Sequence, residues 1–217
     1  MPLTRRDFQR MLMGAVAAAL LPVGAAGDLV EGRDWRRVNP RRPSATAGKL
    51  EVLEFFAYGC PHCADLNPLI EPWAARLPHD VTFRRIPVTF GRAAWANLAR
   101  LYFALKVTGD LKRLDQSIFE AVIRQRRGLY TEKAILAWLG EQGVDTAAFA
   151  SVFSSFAVET QVAQSDALVR DFKIDGVPAI TVDGRYVVLG RGAKGFAEIL
   201  GIADGLIAMA RTESANG

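Results

Sequence analysis

Two cysteines separated by two residues constrain this chain more than any other feature. Cys60-Pro61-His62-Cys63 follows the short apolar run Val52 to Phe56, which contains one charged residue, Glu54. The run has the length and the β-branched and aromatic content of a buried strand. A helix can follow the motif, because proline is tolerated in a first helical turn. The sequence therefore predicts a strand, a tight turn at Tyr58-Gly59 and a helix whose first turn carries both thiols.

This placement makes Cys60 and Cys63 candidates for reversible disulfide chemistry. Cysteines at positions i and i+3 lie on one face of a helical turn and can close a small disulfide ring. At a helix N-terminus, unpaired backbone N–H groups and the helix dipole stabilise the Cys60 thiolate. His62 can add a donor or a positive charge to the same thiolate. Because each effect favours the reduced form, we predict a strongly oxidising pair.

A structural disulfide is the alternative interpretation of the motif. So short a loop is worth roughly 2 kcal/mol in the chain-entropy model, against about 3 kcal/mol for fifteen residues. A domain of this size does not need that contribution. The pair are also the only cysteines among the 217 residues, so no other thiol in the chain can mispair with them in an oxidising compartment. Redox chemistry is therefore the favoured interpretation.

Residues 1–26 have the pattern of a bacterial export signal. Three arginines precede an uncharged run from Met11 to Gly27 that ends in small residues. We expect cleavage near Ala25–Gly27 and a periplasmic mature protein, with a retained membrane anchor as the alternative. Thr4-Arg5-Arg6-Asp7-Phe8 resembles a twin-arginine signal, but paired arginines also open ordinary export signals, so the export route stays open.

Charge and histidine content argue against two other classes of partner. The net charge of +4 falls to +2 without the first 26 residues, so it is poor evidence for nucleic-acid binding, and we predict none. A structural zinc site usually takes four Cys or His ligands. The chain has two of each and places His62 between the cysteines, so we predict no metal site. His79, in a predicted turn, is expected to be solvated.

The order of predicted elements indicates an α/β fold interrupted by helices. An edge strand near Trp35 to Val38 and a β-α-β unit, whose second strand is Val81 to Ile86, occupy residues 28–91. Residues 92–172 have helical periodicity. Residues 173–217 contain two apolar runs, separated by Asp183 and Gly184, and then an amphipathic helix. Asp-Gly at that position predicts a hairpin with a type I′ turn.

Two helix starts can be predicted within residues 92–172. Thr131 and Asp145 are favoured N-cap residues and each precedes an apolar periodic stretch. After Asp145, the spacing groups Phe149, Val152, Phe153 and Phe156 on one helix. We expect these aromatic side chains to form the core of a helical bundle.

This arrangement resembles the thioredoxin fold, and in particular the DsbA family of bacterial periplasmic thiol–disulfide oxidoreductases. The resemblance rests on Val52 to Phe56 before Cys60-Pro61-His62-Cys63, and on Gly176-Val177-Pro178-Ala179 before the hairpin. The helical insertion and the export signal add to it. It covers essentially all of the mature chain and implies a thioredoxin-like fold with an inserted helical domain.

The resemblance implies roles for the cysteines and for a buried acid. Cys60 would be the exposed nucleophile and Cys63 the shielded resolving thiol. Glu54 would be a carboxylate beneath the disulfide that handles the proton of Cys63, whereas an outward-facing position is the alternative. Arg85 takes the position of a basic residue that pairs with this acid in relatives, but an arginine cannot share its proton as a lysine can. Asn67 stands where relatives often have a second acid, so additional tuning from that position is in doubt.

The resemblance also implies a substrate-contact surface. Pro178 matches the cis-proline of the family, and a cis bond there would turn the Val177 backbone toward the disulfide, where a substrate peptide can pair with it. We expect an apolar groove near Tyr58, Pro61 and Val177.

The function so implied is an enzyme, a protein dithiol oxidase that donates its Cys60–Cys63 disulfide to newly exported proteins. We expect a monomer that needs no cofactor beyond that disulfide and is reoxidised by a DsbB-type membrane partner. A reductase or isomerase of the same fold is the first alternative. A copper-binding module with two thiolates is the second.

Overall fold

The computed structural model describes residues 29–215, so the predicted export signal and its cleavage site lie outside the described residues. Within this range the strands are β1 Trp35–Arg37, β2 Leu50–Phe56, β3 Val81–Pro87, β4 Ala179–Val182 and β5 Tyr186–Val188. The helices are α1 Pro61–Ala74, α2 Ala93–Thr108, α3 Leu111–Phe119, α4 Glu132–Glu141, α5 Thr146–Phe153, α6 Phe156–Asp171 and α7 Phe196–Ala215, with a π-helical turn, Glu120–Arg124, directly after α3. None of the described helices is both long enough and apolar enough to span a bilayer.

One mixed sheet organises these elements, in the order β1-β5-β4-β2-β3. Strand β2 pairs in parallel with β3 and antiparallel with β4. Because β2 has neighbours on both sides and helices cover its faces, all seven of its residues are buried. The predicted parallel pair and the predicted edge strand at Trp35 are both confirmed.

Hydrophobic side chains pack on both faces of the sheet. On one face, Val52 of β2 packs in a cluster with Leu66 and Ile70 of α1 and with side chains of α7. On the other face, Leu53 and Phe55 join the cluster formed by the helices between β3 and β4. Successive strand residues point to opposite faces, so Glu54 shares the face of Val52 and points toward α1, the helix that carries Cys63.

The β4–β5 hairpin has the predicted turn. Asp183 and Gly184 both have positive φ, 51° and 61°, as a type I′ turn requires. The Arg185 N–H donates to the carbonyl of Val182 at 3.0 Å. Val182 is paired with Tyr186, so Arg185 is one additional residue between the turn and the second strand.

The helices between β3 and β4 begin largely where expected, with one error. Thr131 accepts a hydrogen bond from the Ala134 N–H and Asp145 accepts two from the next turn, which confirms both caps. The placement of Phe156 on the same helix as Phe149 is wrong. Ser155 caps a new helix, so Phe156 is its first residue and projects outward with 87% of its surface exposed.

The hairpin provides a test of close backbone packing. A Cβ at Gly184 would lie 1.9 Å from the carbonyl oxygen of Arg42. Gly143 also has positive φ, but a Cβ there would meet nothing within 4 Å. We expect Gly143→Ala to lower the free energy of unfolding by about 1–2 kcal/mol through the left-handed backbone alone. Gly184→Ala should cost about 2–5 kcal/mol, since overpacking adds to that strain.

Urea denaturation of the two variants measures this difference. Equal losses of stability would contradict the close approach of Arg42 to the turn.

Candidate active site

The thiol motif lies at the N-terminus of α1. Cys60 is the N-cap residue with extended backbone, and Pro61 occupies the first helical turn, where its missing N–H costs nothing. The Cys60 N–H donates to the Ala57 carbonyl at 3.0 Å, which holds the turn between β2 and α1. Gly59 is required within this turn, because a Cβ there would lie 2.6 Å from the indole nitrogen of Trp95.

The two cysteines differ in their access to solvent. The structure holds them as free cysteines; Cys60 keeps 7% of its surface exposed and Cys63 none. The exposed position expected for Cys60 therefore needs correction, because the turn and the neighbouring loop leave only a small opening to its sulfur. The order of the two is as expected, and a reaction partner can reach only Cys60.

The surroundings of Cys60 stabilise its thiolate. Its pKa is lowered from 9.0 to about 6, first by a hydrogen bond from the Cys63 thiol. The backbone N–H groups of Cys63 and His62 at the helix start act in the same direction, and so does the charge of His62, while burial opposes them. The helix N-terminus and His62 thus contribute as the sequence predicts, but the neighbouring thiol contributes more.

The surroundings of Cys63 favour its neutral thiol. The pKa of Cys63 is raised, first because its S–H donates to the Cys60 sulfur and then because it is buried. The negative charges of Cys60 and Glu54 raise it further. The motif therefore holds one stabilised thiolate and one protonated thiol, so Cys60 is the attacking sulfur and Cys63 the poorly ionised partner.

The segment around Pro178 faces Cys60 directly. The Val177–Pro178 peptide bond is cis, as the resemblance implies. The Cys60 sulfur lies 3.3 Å from the Val177 carbonyl oxygen, to which it can donate when it is protonated. Val177 and Pro178 are half-buried, and Pro61 and His62, which follow Cys60 directly in the chain, are exposed.

Tyr58 does not belong to this surface, and its predicted place in a substrate groove is wrong. Only 1% of Tyr58 is exposed. Its ring packs edge-on against Phe56 and Phe119, and its hydroxyl donates to Asp115 at 2.5 Å. An aromatic residue directly after an apolar strand has the same sequence pattern whether it faces the core or solvent, and here the inserted helices cover it.

Glu54 is a buried acid, so the outward-facing alternative is excluded. None of its surface is exposed, and Arg85, its register partner on β3, donates to it at 2.5 Å. Burial raises the pKa of Glu54, and Arg85 acts against that change. The second carboxylate oxygen of Glu54 is buried without a hydrogen-bond partner among residues 29–215.

A second buried carboxylate, Asp115 on α3, was missed by sequence reasoning. Arg85 donates to Asp115 at 2.7 Å and to Asn67 at 2.8 Å, so Asn67 accepts from the arginine in place of an acid. A signal was present in the sequence. Asp115 lies four residues after Leu111 and three before Ile118, which places a charged residue on the apolar face of a helix.

The other possible metal ligands of the described chain, including His79, do not lie close to one another. His79 is exposed, in agreement with its expected turn position. Across residues 29–215, no three His, Cys, Asp or Glu side chains form a group that could hold a metal ion.

A stabilised thiolate at a helix start, a buried thiol three residues later and an adjacent cis-proline loop on a thioredoxin-like sheet define a thiol–disulfide oxidoreductase. Comparisons with known proteins agree with this class. Residues 51–200 match the family model described as a DSBA-like thioredoxin domain. The chain therefore belongs to the DsbA family of thioredoxin-like proteins.

Individual relatives cover nearly the whole chain. A thiol:disulfide interchange protein DsbA of Bordetella parapertussis is 40% identical over 207 residues, covering 94% of this chain and 97% of its own. The DsbA of Azotobacter vinelandii is 33% identical, with 94% and 99% coverage. The crystal structure of Pseudomonas aeruginosa DsbA superposes with a TM-score of 0.83 at 33% identity, covering 88% of this chain and 98% of its own.

The low pKa of Cys60 can be tested by titration. In the reduced protein, thiolate absorbance at 240 nm should rise with a midpoint near pH 6. Cys63→Ala should move that midpoint upward, because it removes the main hydrogen bond to the thiolate. His62→Asn should move it upward by less, since it removes only a positive charge.

The matched control is His79→Asn, which changes the other histidine of the chain at an exposed position. It should leave the midpoint unchanged. An equal shift in both histidine variants would contradict the local effect of His62.

Proposed function

We propose that this chain is a periplasmic oxidase that donates its Cys60–Cys63 disulfide to newly exported proteins. The observation that carries the proposal is the difference between the two sulfurs. The Cys60 thiolate, which accepts a hydrogen bond from the buried Cys63 thiol, lowers the free energy of the reduced pair relative to an ordinary dithiol. A disulfide whose reduced form is stabilised is a strong oxidant.

The transfer proceeds in two exchanges. A substrate thiolate attacks the Cys60 sulfur, the Cys60–Cys63 bond breaks, and Cys63 leaves with the bonding electron pair and takes up one proton. A second substrate thiolate then attacks the substrate sulfur of the mixed disulfide, and Cys60 leaves as a thiolate. The substrate dithiol is oxidised to a disulfide, the enzyme disulfide is reduced, and the stabilised Cys60 anion is the good leaving group of the second exchange.

Substrate binding is assigned to the loop that contains Val177 and Pro178. A shallow groove of about 300 Å³ runs along residues 176–179 and 187–189. An extended peptide beside Val177 can use backbone hydrogen bonds, which do not depend on side-chain identity. This mode of binding suits an enzyme that acts on many unfolded clients.

The reaction cycle needs a partner that removes electrons from the reduced enzyme. We assign this role to a DsbB-type membrane oxidase, which would use the same opening at Cys60. The enzyme acts as a monomer, with no cofactor beyond its own disulfide.

Equilibration of the mature chain with glutathione buffers, followed by tryptophan fluorescence, tests the direction of transfer. We expect a potential less negative than about −180 mV, whereas a reductase would lie near about −270 mV. Since Cys60 ionises near pH 6 and glutathione much higher, the equilibrium constant for reduction by glutathione should rise up to about tenfold per pH unit above 6. It should level off below pH 6, where the thiolate and its advantage are lost.

A dithiol peptide assay tests the roles of the two sulfurs. Cys60→Ala should abolish oxidation of the peptide. Cys63→Ala should form a mixed disulfide between Cys60 and the peptide when supplied with an activated peptide disulfide, detected by mass spectrometry. Full peptide oxidation by Cys60→Ala would refute the proposed role.

A further inference from the structure

The partner of the buried acid Glu54 is an arginine, and this limits what the acid can do. A guanidinium does not lose its proton in proteins. At 2.5 Å from the carboxylate, Arg85 favours the ionised form of Glu54, which has no proton to give. Cys63 is fully buried, so the proton that it needs as a leaving group must come from inside the protein. A second interaction is therefore required to keep a proton on Glu54.

Arg85 makes hydrogen bonds to two other side chains besides Glu54. Its Nε donates to Glu54, its Nη1 to Asp115 at 2.7 Å and its Nη2 to Asn67 at 2.8 Å. Glu54 is 0% and Asp115 3% exposed. Two buried carboxylates thus share one permanent cation. If both are ionised, the cluster holds one uncompensated buried negative charge, which is costly, so binding of a single proton is favoured.

Hydrogen bonds decide which carboxylate takes that proton. Asp115 has donors on both oxygens, the Tyr58 hydroxyl at 2.5 Å and Arg85 at 2.7 Å. These donors stabilise its anion. Glu54 has a donor on one oxygen only, and its Oε1 is buried without a partner in the described part of the chain. The proton therefore belongs on Oε1 of Glu54.

The other charges around Glu54 agree with this assignment. Arg85 faces it from β3, Asp115 from α3, and Glu71 and Cys63 from α1. Burial raises the pKa of Glu54, the negative charges of Asp115 and Glu71 raise it further, and Arg85 alone opposes them.

We propose that Asp115 is a positioning residue that shares the Arg85 guanidinium with Glu54. Because the positive charge of Arg85 is shared, the Glu54 carboxyl can carry the proton that Cys63 requires. This inference rests on the proposed function, since Cys63 becomes a leaving group only when the disulfide is reduced. During the first exchange the S–S bond breaks, its electron pair stays on Cys63, and the Glu54 proton is passed to that sulfur through an intervening water molecule, because Oε1 makes no direct hydrogen bond to it. Glu54 is left as a carboxylate.

A cleft on the surface reaches the hydrogen-bond partners of Glu54, although not Glu54 itself. The cleft has a volume of about 750 Å³ and its lining includes Asn67, Arg85 and Asp115. Water in the cleft can therefore reach the cluster without passing Cys60. On reoxidation of the enzyme the same steps run in reverse, and the proton leaves by this route.

Asp115→Asn tests the proposal, because the amide keeps the shape of the side chain and removes its charge. Arg85 then compensates Glu54 alone, and the midpoint of the Glu54 carboxyl band, followed by infrared difference spectroscopy and assigned with Glu54→Gln, should move to lower pH. Proton occupancy falls about tenfold for each pH unit of that shift. Single-turnover reduction of the disulfide by a dithiol peptide should slow at pH 7 by up to the same factor and recover as the pH is lowered.

Asp110→Asn is the matched control. It removes the same charge just before the same helix, from an exposed ion pair with Arg113. Both the Glu54 midpoint and the rate profile should stay unchanged. Arg85→Lys provides a second test, because a lysine can give up its proton. In the Arg85→Lys protein, Asp115→Asn should change the rate at pH 7 by less than it does in the wild type. Loss of packing alone would not produce this coupling.

Two results would overturn the proposal. One is an unchanged pH profile in a folded Asp115→Asn protein. The other needs no variant at Asp115: a Glu54 carboxyl in the wild type that stays ionised down to about pH 4 carries no useful proton, so this measurement decides the matter even if Asp115→Asn fails to fold. The infrared titration is independent of turnover, so a chain that failed to oxidise peptides would refute the proposed function without deciding the protonation of Glu54.

Discussion

The stabilisation of a negative sulfur at the start of α1 is the interaction on which the chemistry of this protein depends. An ordinary thiol is mostly protonated at neutral pH, whereas the hydrogen bonds around Cys60 lower its pKa to about 6. Two contributions come from backbone N–H groups that have no partner within the helix because they belong to its first turn. They are therefore present whatever side chains occupy the surface. The largest contribution, the hydrogen bond from Cys63, exists because a helical turn brings positions i and i+3 together.

The same helix produces the difference between the two sulfurs. Cys60 lies before the first turn, next to the loop of Val177, where a small part of its surface meets solvent. Cys63 lies one turn later, on the side of α1 that packs on the sheet, and is fully buried. The strand before the motif contributes to this geometry. All seven residues of β2 are buried, and its pairing with β4 places the start of α1 beside the loop that precedes β4.

A single cation, Arg85, serves several polar side chains beneath the cysteine motif. Arg85 lies over the ring of Phe56, 4.2 Å from its centroid, and makes hydrogen bonds to three different side chains. An arginine can do this because its guanidinium presents several donors in fixed directions. In this chain one cation thus joins Glu54, Asp115 and Asn67 beneath the cysteine motif.

Local sequence patterns determined the strand, the turn and the helix around the motif, the type I′ hairpin and the caps at Thr131 and Asp145, because these features depend on backbone sterics and neighbouring residues. Tertiary structure alone decided three others. Tyr58 is buried because distant helices cover it, Phe156 is exposed because Ser155 starts a new helix, and Asp115 joins Arg85 although thirty residues separate them in the chain. Burial and charge pairing depend on which surfaces meet, and one sequence read in order does not contain that information in local form.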